Sequence, residues 1–284
     1  GDYKYGRSRL LDPAVNNFPR IESVLTESTY GSKDDSLPPR AESEQRLIDL
    51  VNKTIENGGK VLIPELGLGR AQETMLILED AMKTGKLKEV PIYIDGMIWD
   101  INAIHTAYPD FLSNKVRTDV FQDKNPFVSE IFARVASPQE RRNVIEGGPC
   151  IVLATSGMLV GGASVEYFRE FAVNKNNTIL FVCYQGLGSL GRNVQEGMKE
   201  TRMMVDGKEE TIKVNMQVET IIGFTAHAGR NELISFFNNV HPKPKRILVN
   251  HGEVSKSLDL AAALYKLNHV ETNVPRTLET IRLR

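Results

Sequence analysis

A parallel, doubly wound α/β fold is what this sequence predicts, and three observations carry the expectation. Short apolar runs recur along the middle of the chain, KVLIP (60–64), PIYID (91–95), CIVLAT (150–155) and TILFVCY (178–184). Between them lie stretches whose apolar residues recur at helical spacing, so strand alternates with helix. Glycines punctuate the helix ends, at Gly58-Gly59, Gly85 and Gly147-Gly148, where a left-handed or tightly turned backbone is needed.

The elements follow in order. Ile21 to Leu25 alternates as a strand and ends on Thr26-Glu27, so it stops at a carboxylate. SKDDSLPPR (32–40) is charged and Pro-rich and reads as a linker. Ala41 to Glu56 places Leu47, Leu50, Val51 and Ile55 on one helical face, and Arg70 to Thr84 does the same with Met75, Leu76, Leu78 and Met82. A mostly helical stretch runs to Tyr108, and Phe127 to Ala136 fits either a strand or a short helix. PQERRNVIEGG starts with Pro138 near a helix N-terminus, and GASVEYFREFAV bridges two strands. Asp206-Gly207 sits between two alternating runs and predicts a hairpin.

From Val218 the chain reads strand, histidine, helix, strand, histidine. VETIIGF stops at Thr225-Ala226-His227, Asn231 to Asn239 is helical, and Arg246 to Val249 stops at Asn250-His251-Gly252-Glu253. An apolar helix from Leu258 to Leu267 and two closing strands, VETNV and TIRLR, complete it.

Composition bounds the function. The 284 residues are 41% hydrophobic and 25% charged, enough for one large core or two smaller ones. The net charge of −1 leaves no global basic field, so a polyanion needs a local patch. Cys150 and Cys183 lie in strand-like runs and read as buried free thiols. No apolar run approaches the ~18 residues of a membrane span, and the expected setting is cytoplasmic, with no membrane partner. The sequence begins without an initiator Met, which reads as a piece of a longer protein.

Two histidines expected to end strands of one sheet can converge beyond its carboxyl edge, where ligands of parallel sheets sit. His227 and His251 are each followed by a small residue, Ala228 or Gly252. Two histidines do not complete a zinc site, and Asp2 or Glu27 could assist; Asp2 also reads as a plain turn residue. His105, His241 and His269 read as structural. Ser156, Gly157, Gly161 and Gly162 lie between a strand and a helix, where unshielded N–H groups favour an anionic oxygen; Gly69-Arg70 opens another helix the same way. The Gly186-x-Gly188-x-x-Gly191 run lacks a long following helix and does not read as a dinucleotide fingerprint.

IESVLTESTYG, GLGRAQE, ATSGMLVGG, GSLGRNVQEG, GFTAHAGR and VNHGE, in this order, resemble the metallo-β-lactamase/β-CASP nucleases. The nearest likeness is to the archaeal homologues of the mRNA 3′-end cleavage and polyadenylation specificity factor. The likeness runs along the whole chain. It implies a β-CASP doubly wound domain over residues 32–216. Two pieces of a metallo-β-lactamase αββα domain flank it, residues 1–31 and 217–284.

The resemblance also implies roles. Asp2 matches the acid that bridges two zinc ions, and His251 matches a ligand of one of them. Glu27 matches the acid that holds the catalytic histidine, and His227 matches the general acid toward the leaving oxygen, kept protonated by Glu27. A histidine rather than valine at position 251 favours RNA over DNA. The implied function is zinc-dependent hydrolysis of RNA phosphodiesters during 3′-end processing or transcription termination. The alternative is a non-catalytic RNA-binding or scaffold subunit. RNA is the expected partner, with Ser156, Gly157, Gly161, Gly162 and Arg70 toward its phosphates, and homodimerisation through the C-terminal region is implied. The family's His-x-His-x-Asp-His cluster is not in this sequence, so the piece is expected neither to hold the zinc pair tightly nor to cleave RNA alone. Gly229 stands where relatives often carry Asp, with a small effect on stability expected.

Overall fold

The computed structural model describes residues 2–205 and 207–283. The chain forms two compact units, one of Gly1–Ser8, Asp12–Leu37 and Ala226–Arg284, the other of Arg9–Leu11 and Pro38–Thr225.

The larger unit is the doubly wound domain. It holds β2 (Val61–Pro64), β3 (Ile92–Asp95), β4 (Phe132–Val135), β5 (Ile151–Ala154), β6 (Thr178–Phe181) and β9 (Gln217–Thr220). These pair in parallel in the order β4-β3-β5-β2-β6-β9. Alternation along each strand divides the core. Val61, Ile63, Ile92, Ile94, Ile151 and Leu153 pack with α1 (Arg40–Glu56), α2 (Arg70–Lys83) and α3 (Ile98–Ala107) on one face. Leu62, Val152, Ala154, Ile179 and Phe181 pack with α5 (Pro138–Glu146) and α6 (Ala163–Phe171) on the other. Strands buried on both faces need continuous apolar runs, and these have them.

The ambiguous Phe127–Ala136 stretch is both things: a 3₁₀ turn at Pro126–Val128, then β4. Helix α4 (Asn114–Phe121), capped by the Ser113 hydroxyl, had no sequence expectation, its weak apolar pattern being hidden among polar residues. A six-residue α7 (Leu190–Gln195) follows β6, and the hairpin β7 (Glu200–Val205) with β8 (Lys208–Lys213) forms its own two-stranded sheet. Asp206 of its expected turn lies outside the described residues.

The smaller unit is a three-stranded parallel sheet, β1 (Ser23–Thr26), β10 (Arg246–Val249) and β11 (Glu271–Asn273), in the order β1-β10-β11. Helices α8 (Arg230–Asn239) and α9 (Val254–Asn268) cover one face with Leu233, Phe236, Phe237, Leu260 and Leu264 against Ile247 and Val249.

Two strand expectations are corrected. VETIIGF forms only β9, which pairs with β6 in the larger unit and not with β10. The chain crosses to the smaller unit after Thr225, later than the boundary expected at residue 216. An apolar run of that kind satisfies either sheet, so hydrophobicity could not assign it. TIRLR forms no strand among the described residues; its backbone is held by side chains, with Ser23 Oγ donating to Leu283 O at 3.2 Å and Arg246 to Arg282 O.

Candidate active site

The carboxyl ends of β1 and β10 lie side by side because the strands pair in register, Thr26 with Val249. Glu27, the next residue of β1, and His251, two residues past the end of β10, therefore leave the sheet together. His227 reaches the same place by a different route, in the turn that leads into α8 and not at the end of a strand of this sheet. The N-terminal segment fastens that turn: Ala228 N–H donates to Tyr3 O at 2.8 Å, and Lys4 Nζ donates to His227 O at 3.2 Å. Lys4 also pairs with Glu232 Oε2 at 2.9 Å. Asp2 is thereby carried to the two histidines.

Glu27 is 1% exposed. Its Oε2 lies 2.6 Å from His227 Nδ1, and its Oε1 accepts the Tyr3 N–H at 3.2 Å. Burial pushes the Glu27 carboxyl up. The hydrogen bond and charge of His227 outweigh this, with help from Thr29 and the Tyr3 N–H, and hold it below the ordinary glutamate value. The carboxylate occupies Nδ1, so Nε2 is the nitrogen that His227 offers outward.

His251 Nδ1 is 3.4 Å from Asp2 Oδ1, and the His227 and His251 rings stack with centroids 5.4 Å apart at 27°. One donor atom each from Asp2, His227 and His251 fall within 4.8 Å of one another. Two imidazole nitrogens and a carboxylate oxygen suit a borderline divalent cation such as zinc, with a fourth position left over. The donor set therefore fits one ion. Among the described residues no further His, Cys, Asp or Glu joins this group.

The second set of expected residues lies in the larger unit. Loops with glycines follow β2, β5 and β6, which are neighbours in the sheet, so all three open at the same carboxyl edge. The β5–α6 loop is largely self-bonded. Ser156 Oγ donates to Gly161 O at 3.0 Å and accepts from Val160 N–H at 3.0 Å, and Ser164 Oγ donates to Ser156 O at 2.7 Å. Packing accounts for two glycines. A Cβ at Gly157 would sit 2.9 Å from Cys183 Sγ and 3.0 Å from the backbone of Glu65 and Leu66; one at Gly162, where φ is +74°, would sit 2.7 Å from Thr155 O. Gly161 has open space around it.

Arg70 departs from its expectation as an available phosphate contact. It is 9% exposed, and its charge acts on Glu65 and Cys183 beside it. Glu65, at the end of β2, is fully buried, accepts from Thr74 Oγ1 at 2.5 Å, and is pushed up to about 8 by burial against the weaker pulls of Thr74 and Arg70.

The other histidines are bound into the frame. His105 Nδ1 lies 2.8 Å from Ile101 O, His241 precedes Pro242 at a bridge to Asn17, and His269 is the left-handed C-cap of α9. Cys150 and Cys183 are buried and free, as expected. Sequence reasoning missed Lys4, Tyr3 and Thr29.

Residues 71–194 match the Beta-Casp domain, and residues 211–275 match the Zn-dependent metallo-hydrolase RNA specificity domain. Three relatives, each named transcription termination factor FttA, align along the whole chain. Those of Thermococcus kodakarensis and Methanocaldococcus jannaschii are both 50% identical over 287 positions, and that of Lokiarchaeum is 44% identical over 286. The chain spans 44% of the first and 45% of the other two, less than half their length. No helix among the described residues is long and apolar enough to cross a membrane.

Proposed function

The chain belongs to the β-CASP family of metallo-β-lactamase-fold proteins, and from that premise we propose that it is the β-CASP portion of a zinc-dependent ribonuclease. The observation that carries the reading is the 2.6 Å contact between Glu27 Oε2 and His227 Nδ1, beside Asp2 and His251. A buried carboxylate on Nδ1 favours the imidazolium, which keeps a proton at Nε2 for a departing oxygen. Asp2 and His251 are the residues that would hold metal. Bound zinc would supply an acidified water and neutralise the negative charge on the phosphoryl oxygens. With His227 kept for the proton, Asp2 and His251 are too few for even one closed zinc site, so a zinc pair requires donors beyond the described residues, and the chain alone turns over no RNA.

The substrate class is RNA, cut during 3′-end processing or transcription termination in the cytoplasm. Two descriptions support it: the RNA specificity domain matched by residues 211–275, and the termination-factor name of the relatives. The glycine loops of the larger unit, at Ser156, Gly157, Gly161 and Gly162, are the proposed contacts for its phosphates, with homodimerisation through the C-terminal region. The test is His227→Ala in the longer protein, read by cleavage and by RNA binding. Lost cleavage with retained binding supports the enzyme. Unchanged processing in cells, with no cleavage by the unsubstituted protein, would favour a scaffold subunit.

A further inference from the structure

His251 is one of the few non-glycine residues with a left-handed backbone, at φ +50°. For a residue with a Cβ this conformation is disfavoured and persists only where neighbours impose it. The loop around it supplies such neighbours. The His251 carbonyl accepts twice, from Ser28 N–H at 3.3 Å and from Thr29 Oγ1 at 3.2 Å. Its N–H donates to Asn250 Oδ1 at 2.7 Å. Ser28 Oγ is committed elsewhere, to Asn250 O at 2.8 Å and to Ser257 Oγ at 2.7 Å. From the β1 loop, the Thr29 side chain touches both histidines. Its Oγ1 lies 3.3 Å from His227 Nδ1 and 3.4 Å from His251 Nδ1.

We propose that Thr29 is a positioning residue of the active site, whose hydroxyl holds His251 in its left-handed conformation and sets the spacing of the two imidazoles. The hydroxyl has one proton, for which the His251 carbonyl competes with the Glu27 carboxylate that Thr29 also helps to hold down. At the rings the oxygen then serves as acceptor, which fits a His251 Nδ1–H directed at it and leaves Nε2 of that ring open. Groups of this kind, one step behind metal ligands, commonly change metal affinity 10–100-fold when removed. The proposal rests on the reading of Asp2, His227 and His251 as the working cluster, but its first test does not require activity.

The experiment compares Thr29→Val, Thr29→Ser and the unsubstituted chain, each with isotope-labelled histidine. The His251 backbone shifts and HN–Hα coupling report the sign of φ, and ring-to-ring NOEs report the stack. The Val variant keeps the shape of threonine at a half-exposed position and is expected to fold. It should lose the left-handed signature at residue 251 and weaken the 227–251 NOE, whereas Ser should retain both. In the longer protein, zinc chloride titrated by calorimetry should bind the Val variant at least about tenfold more weakly, with Ser near the original. A Val variant that keeps both signatures overturns the proposal. So does one that unfolds, or a Ser variant as impaired as Val, since either would assign Thr29 to packing. Absence of cleavage by the longer protein would sink the nuclease reading and leave the backbone result standing.

Discussion

At the scale of single residues, the site is a case of one group being kept ionised by another. Glu27 has left water almost completely, which alone would favour its neutral form, and the hydrogen bond and charge of His227 reverse that preference. Glu27→Gln removes the charge and keeps one acceptor for the Tyr3 N–H, so the fold should survive with a loss of about 1–2 kcal/mol. Cleavage by the longer protein should fall by roughly two to three orders of magnitude, the ordinary worth of general acid catalysis. A variant with normal kcat would remove Glu27 from the mechanism. Gly252 is constrained by contact and not by φ. A Cβ there would meet Ser28 Oγ and sit 2.6 Å from the Ser28 backbone. Gly252→Ala should therefore cost about 1–3 kcal/mol by chemical denaturation, and an unchanged midpoint would contradict the close approach of the two loops. Much of this was legible beforehand. Glu27, His227, His251 and Asp2 stood at ends of apolar runs or beside glycines, and those are visible in sequence. Thr29 and Lys4 were not, because their roles come from oxygens and carbonyls brought near by pairing of β1 with β10, and nothing local encodes that register.

Among the elements, α8 and the β2–α2 junction each carry a prediction. Helix α8 begins at Gly229, which has no side chain to cap it, so only half of a capping box exists: Glu232 Oε2 accepts the Gly229 N–H at 3.0 Å. Gly229 has an ordinary extended backbone, and an added Cβ would press only on the end of Leu37, 2.8 Å away. Gly229→Asp should stabilise the chain by about 0.5 kcal/mol if Leu37 yields, and a lower melting temperature would show that it does not. Glu65 makes stability depend on pH. Its folded value, near 8, lies above its unfolded one, so its favourable contribution is complete below about pH 4 and is lost as pH rises toward 8. The loss by neutral pH is on the order of 2–3 kcal/mol. Glu65→Gln keeps an acceptor for Thr74 and should flatten the decline between pH 5 and 8, as read by denaturant midpoints. Parallel slopes for the two proteins would mean the carboxyl finds a compensating charge. The strands of this unit were readable because burial on both faces demands continuous apolar runs. The sheet to which β9 belongs was not, since Val218, Ile221 and Ile222 satisfy either choice and only pairing with β6 decides.

For the molecule as a whole, the two units differ in how their sheets are protected, and this bears on where function sits. The larger unit has a six-stranded sheet with apolar side chains and helices on both faces. In the smaller unit three strands carry α8 and α9 on one face, and Leu25 of β1 is 52% exposed. Apolar burial is the main favourable term of folding, so the smaller unit should open at lower free energy. Native-state hydrogen exchange in rising urea should show amides of β1, β10 and β11 opening in one cooperative step, and those of β2 and β5 in a later one. A gap of about 2 kcal/mol would separate the steps. Asp2, Glu27, His227 and His251 all lie in the unit expected to open first. Whatever binds that cluster and not the unfolded chain should then raise the lower step selectively, by RT ln(1 + [L]/Kd). Zinc chloride added to the chain is the probe: a rise confined to β1, β10 and β11 locates the ion at the cluster. A rise shared with β2 and β5, or coincident opening of both sheets without metal, would show that the units do not open independently.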